Sequence, residues 1–155
     1  MDEALIQSLL ADLKDSEEPV RENATQRLWQ LWFEQKGAYS LALILRSQDL
    51  LEQGDVEEAK EILTELVEEQ PDFAEAWNRR AVLYYTQGDY RRAIADCEQV
   101  IRLVPYHFGA LHGLGLCHAA VGEYVAAIAA FRRALELQPH ALINQRLILE
   151  CTARL

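Results

Sequence analysis

Seven side chains in this chain are of the kind that hold metals or carry out nucleophilic chemistry: four histidines and three cysteines. Their spacing does not assemble them. His112 and His118 are six residues apart, more than a turn and a half of helix, so they face different ways and cannot act as an i, i+4 ligand pair. Cys117 shares neither face. Cys97 and Cys151 fall on apolar stripes, and the odd cysteine count without a C-x-x-C spacing fits packed thiols rather than a disulfide framework or a nucleophile. Gly109, Gly113 and Gly115 lie at the start of or inside a helical segment. They do not form the strand-to-helix glycine loop that cradles phosphate, and close helix packing explains them better. The expectation is therefore no catalytic residue, no cofactor and no metal.

The elements that carry these residues repeat. Gly54, Gly88 and Gly122 are 34 residues apart, and so are Pro71, Pro105 and Pro139. Ala59, Ala93 and Ala127 keep the same step, as do Leu43, Trp77 and Leu111. Glycine sits where the chain must leave one helix in a left-handed conformation, and proline follows a helix whose amide ladder it cannot extend. Between these marks the apolar spacing is helical: Trp77, Ala81 and Tyr84 on one segment, Ala93, Cys97 and Val100 on its partner. Each unit is thus a helical hairpin, helix A then helix B, with a small alanine where the two cross closely. Asp72 with Glu75 reads as a capping box opening the next helix A.

These residues resemble the tetratricopeptide repeats. The stretch 74–107, AEAWNRRAVLYYTQGDYRRAIADCEQVIRLVPYH, is similar to the family pattern at its tryptophan, small residue, tyrosine, Gly-Asp-Tyr, alanine and terminal proline. The stretch 108–141 keeps most of these positions but has His118 where an aromatic or leucine is usual. The stretch 40–73 is more degenerate, with Val56 in the aromatic column and Lys60 after the alanine. The resemblance implies an all-α, right-handed α-solenoid of about nine helices. It also implies a concave groove lined by successive A helices, binding a peptide or helix of a partner protein as an adaptor or assembly factor. The matching groove positions are Ile44, Gln48 and Leu51, then Asn78, Val82 and Tyr85, then His112, Leu116 and Ala119. Chaperone-binding members clamp an acidic C-terminal tail with lysines, asparagines and an arginine. Those columns here read Ile44, Gln48, Arg79, Gly109 and Gly113, so no such tail is expected as a ligand.

The ends depart from the repeat. Residues 1–37 read as a helix pair, with Ser16 as N-cap, Pro19 in the first turn and Gly37 at the exit; Asp15 to Leu28 resembles a HEAT-type repeat, with Pro19 shifted by one. Trp29, Trp32 and Phe33 are large enough to anchor a partner, but the expectation is that they dock this pair onto the first repeat. Residues 142–155 place Ile143, Leu147, Cys151 and Leu155 on one stripe, as a capping helix would. The division is then 1–37, three repeats within 38–141, and 142–155; either end segment could fill the groove.

Charge and hydropathy narrow the partners. The net charge of −10 is uneven: residues 1–73 carry 18 acids and 6 bases, residues 74–155 carry 7 acids and 9 bases. That balance lacks the basic surface nucleic acid needs but can orient a protein partner. No apolar run approaches the roughly 20 residues that span a bilayer, and the acidic start is unlike a secretory signal, so the expected site is a reducing compartment, the cytoplasm or a plastid stroma after transit-peptide removal. Acidic runs such as Glu57-Glu58 and the pairs Arg91-Arg92 and Arg132-Arg133 read as solvated faces; Arg46 and Arg80 read as packed stems with heads in water. Self-association through exposed helix faces is the alternative role.

Overall fold

The computed structural model describes residues 2–155, and among them are nine α-helices and no strand. They are α1 (Glu3–Asp12), α2 (Glu18–Glu34), α3 (Gly37–Glu52), α4 (Val56–Glu69), α5 (Ala74–Thr86), α6 (Tyr90–Leu103), α7 (Phe108–Ala120), α8 (Tyr124–Leu137) and α9 (Leu142–Thr152). The pairs α3–α4, α5–α6 and α7–α8 are the three hairpins, stacked as a right-handed α-solenoid.

The three A-to-B turns are built identically. Gly54, Gly88 and Gly122 take φ of +85°, +75° and +80°, a region open to glycine without penalty. In each turn the amide after the glycine returns to the carbonyl five residues back: Asp55 to Leu50 (2.8 Å), Asp89 to Tyr84 (2.9 Å) and Glu123 to His118 (2.9 Å). This Schellman-type bond satisfies a carbonyl that the helix end would orphan. The B-to-A turns repeat too, since the amides of Phe73, His107 and Ala141 each return three residues back, to Gln70, Val104 and Gln138. The tryptophan column helps to hold one of them: Trp77 donates from Nε1 to the carbonyl of Pro71 at 2.9 Å.

Packing follows the columns. Ala59, Ala93 and Ala127 are all but fully buried where A and B cross. A Cβ on Gly115 would come within 2.5 Å of the Phe131 ring, and one on Gly109 within 2.5 Å of the Trp29 ring, so both glycines permit close approach. Gly113 is different, because a Cβ there would meet only Cys97 Sγ at 3.6 Å, an ordinary contact.

Three local expectations are corrected. Asp72 and Glu75 form no capping box: Phe73 is the N-cap of α5, Asp72 pairs with Lys36 at 2.6 Å, and Glu75 is fully buried among other partners. The N-cap of α2 is Glu17 rather than Ser16, and the turn is held instead by Arg21, which donates to the carbonyls of Asp15 (2.9 Å) and Ser16 (3.0 Å). Arg80 does not reach into water. Its guanidinium makes a bidentate pair with Asp96 at 2.8 and 2.9 Å, binding α5 to α6, whereas Arg46 is exposed and meets Glu58 at 3.0 Å.

The largest correction concerns α2, which does not simply dock on the first repeat. At about 1.5 Å per residue its 17 residues span roughly 25 Å, enough to cross several hairpins. Just past its carboxyl end Gln35 and Lys36 reach Asp72, in the turn between repeats one and two. Within its last two turns Trp32 stacks on His107 with ring centroids 3.9 Å apart, and Trp29 meets Phe108 edge-on, at the turn between repeats two and three. At its middle Thr25 accepts from Gln138 at 3.5 Å, in the turn before α9. The helix therefore runs as a strap along the row of proline turns. Ala24, Leu28 and Trp32 on its inner face are no more than 1% exposed.

Candidate protein-binding site

The nine groove positions occupy three different environments. Ile44 is fully buried, and Asn78 is 3% exposed with its amide donating to Glu75 Oε2 at 3.0 Å. Both lie inside the fold. Gln48 and Leu51 are half-buried, and Val82 and Tyr85 are each 38% exposed. Gln48, Leu51 and Val82 line a small cleft between α3 and α5 together with Ser47, Glu52 and Arg79. Tyr85 is not part of that lining, and its ring meets that of Tyr90 edge-on at 5.6 Å.

The third set lies under α9. His112 Nδ1 pairs with Oδ1 of the buried Asn144 at 2.9 Å, and Leu116 and Ala119 pack against a cluster that contains Cys151, Leu147 and Ile148. At the opposite rim Trp29 covers Gly109. The strap and the capping helix thus close the third-repeat side and leave the α3–α5 cleft open.

Beside this cleft is a buried polar junction whose function the sequence did not disclose. Glu75 and His107 are both fully buried, with Glu75 Oε1 3.0 Å from His107 Nε2. Glu75 Oε2 accepts from Arg79 Nε at 2.8 Å. His107 Nδ1 accepts from the Ala110 amide at 3.0 Å and so caps α7, which leaves Nε2 to carry the proton toward Glu75. Burial pushes the Glu75 carboxyl upward, but the hydrogen bond from His107, the charge of Arg79 and the bond from Asn78 outweigh it, and the group is held below the usual carboxylate range. Arg79 in turn lies 5.7 and 5.3 Å from the ring centres of Trp29 and Phe33. The repeat columns did contain a signal. Glu75 shares its column with Leu41, Gly109 and Ile143, and His107 shares its own with Tyr39, Phe73 and Ala141; each is the polar exception.

The remaining reactive groups are spoken for. Cys97, Cys117 and Cys151 are free and buried. The hydrogen bond with Cys117 and burial push the Cys97 thiol up, and burial does the same for Cys151. His118 bonds to Glu123 at 2.9 Å, and with Arg91 it holds that exposed carboxyl below its ordinary range. Among the described residues no group of three or more His, Cys, Asp or Glu is placed to hold a metal ion, and no helix is long and apolar enough to cross a membrane.

Comparison with known proteins agrees with this geometry. The tetratricopeptide repeat profile matches residues 44–108 and 81–141, and the chain belongs to that family. A TPR repeat-containing protein of Rhizobium etli is 30% identical over 135 residues, 86% of this chain and 66% of its own length. The chain therefore spans just under two thirds of that relative. Among solved structures, the first TPR of Spaghetti bound to an HSP90 peptide superposes with a TM-score of 0.70 at 21% identity, over 73% of this chain and 90% of that one. The TPR2B domain of yeast Sti1, solved with pHsp70, gives 0.67 at 21% identity, over 74% and 96%. At such identity these structures share the fold. The chain is a helical repeat protein of the tetratricopeptide repeat class.

Proposed function

We propose that this module works as an adaptor or assembly factor, binding an extended segment or helix of a partner protein in the open half of its groove rather than catalysing a reaction. The supporting observation is the α3–α5 cleft, where Val82 stays exposed beside Gln48 and Leu51 and neither end segment contributes to the lining, with Tyr85 exposed one turn further along α5. Apolar anchors flanked by one amide and the carboxylate of Glu52 suit a segment with one or two apolar side chains and donor groups between them. Three buried thiols fit work in a reducing compartment, the cytoplasm or a plastid stroma.

Acidic chaperone tails fall outside this reading. Ile44 is buried, Arg79 is engaged by Glu75, and a lysine at Gly109 would collide with Trp29. Calorimetric titration with the peptide SRMEEVD is expected to show no binding, and micromolar affinity would overturn the exclusion. The groove itself is tested by affinity purification of the wild type beside a Val82→Asp, Tyr85→Ala double variant and a Glu61→Ala control on the opposite face. Partners should be lost from the double variant alone, with helix content unchanged. An identical set captured by all three would remove the groove from the binding mechanism.

A further inference from the structure

We propose that the partner segment taken up by the α3–α5 cleft is basic: one apolar side chain seats against Leu51, Leu63 and Val82, and a lysine or arginine beside it is held by Glu52. This rests on the groove reading above and names the chemistry of the partner. The cleft holds about 170 Å³ and is walled by those three apolar residues, with Val82 38% exposed. That is room for a side chain and too little for a small organic ligand, whose pockets run from roughly 300 Å³ upward.

Most of the polar lining is already engaged. Ser47 Oγ donates to the carbonyl of Ile44 at 2.6 Å, and Arg79 Nε donates to Glu75 Oε2 at 2.8 Å. Glu52, the last residue of α3, is exposed and pairs with no cation among the described residues. A buried apolar wall with one free carboxylate at its rim selects an apolar side chain followed by a cation.

The repeat columns show that this free charge is peculiar to the first repeat. Glu52 shares its column with Thr86 and Ala120, neither of them charged. A carboxylate follows each turn glycine. Asp89 is held by Arg92 at 2.8 Å and Glu123 by Arg91 at 3.0 Å, whereas Asp55 has neither a cation nor a capping bond among the described residues. The columns of Arg91 and Arg92 are filled in the first repeat by Glu57 and Glu58, so acids stand where the second repeat has arginines. Residues 37–69 contain nine acids and two bases, and both bases are occupied: Arg46 meets Glu58 at 3.0 Å, and Lys60 lies 6.0 Å from the centre of the Tyr84 ring. An acidic segment entering the cleft would meet Glu52, with Asp55 three residues further on, and nothing to offset either. A basic segment would be drawn in.

Selection of a random dodecapeptide library, displayed on phage, against the full chain tests this. Enriched sequences should place lysine or arginine beside an apolar residue. The strongest of them, made as a labelled peptide, should bind the wild type and lose about tenfold in affinity to Val82→Asn. Glu52→Gln should weaken it by about threefold at low salt and hardly at all at high salt, as an exposed ion pair requires. Glu61→Gln, outside the cleft lining, should leave it unchanged, and circular dichroism should show all three variants folded. Neutral or acidic peptides that still depend on Val82 would keep the groove and overturn the basic partner. Peptides indifferent to Val82→Asn, or no enrichment at all, would overturn the groove reading and this inference with it. An equal loss at Glu61→Gln would reduce the recognition to unspecific attraction, and a chain that dimerises through Val82 in light scattering would make a second copy the occupant; either result overturns the proposal.

Discussion

The solenoid has two edges of turns, one made by glycines and one by prolines, and they are held in opposite ways. At the glycine edge the turns are exposed and the same backbone bond recurs three times, with little regard to which side chains surround it. At the proline edge the backbone also repeats, but α2 lies along it and meets each turn with a different device. These are a lysine–aspartate pair at the first, a stacked Trp32 and His107 over Glu75 at the second, and a threonine–glutamine contact at the third. Repetition builds the stack, and departures from repetition attach the strap. The exposed edge is governed by backbone geometry, the covered one by side-chain complementarity.

The contrast is broken most severely at Trp32. Replacing this 1% exposed ring with alanine should cost about 4 kcal/mol in urea unfolding, through lost burial and the cavity left above His107. A cost under about 1 kcal/mol would mean that the strap adds nothing to the stack.

Glu75→Gln should follow, at about 3 kcal/mol near neutral pH, since it removes a buried charge from between Arg79 and His107. Its pH dependence has a definite sign. The folded carboxyl lies below its unfolded value of about 4.3, so its contribution is complete above that pH and is lost as pH falls through the lower folded value. The stability difference between wild type and variant should therefore shrink on acidification from pH 5 downward. A difference constant over that window would show that Glu75 is not held as an anion.

The smallest effect sharpens the comparison at the other edge. Alanine at Gly54, Gly88 or Gly122 must adopt a positive φ with no steric neighbour within 4 Å, so each substitution should cost about 1 kcal/mol by backbone strain alone. The three values should agree to within about half a kcal/mol, as identical turns require. A spread several times larger would place side-chain packing in control of that edge as well.

The legible parts of the candidate site follow the same division. Gln48, Leu51 and Val82 share successive repeat columns, and all three line the α3–α5 cleft, while Tyr85 from the same set is exposed outside its lining. His112, Leu116 and Ala119 occupy the same columns one repeat later, yet α9 covers them, and no periodicity within 108–141 could announce what a later segment packs upon. Glu75 looked like a capping residue because three-residue spacing from Asp72 is a local pattern. Its real partners, His107 and Arg79, include one 32 residues away. Arg80 and Asp96, 16 residues apart on facing helices, were missed for the same reason.

Local requirements recur wherever the chain needs them, and so hairpin count, turn positions, helix phase and membership of the repeat class could all be read from the order of residues. The path of α2 along the proline turns, the burial of Glu75 against His107, and the choice of which groove segment stays open belong to the folded molecule alone. Each depends on surfaces that exist only after the hairpins have stacked, and a helix that packs across three of them answers to their combined shape rather than to any spacing in its own sequence.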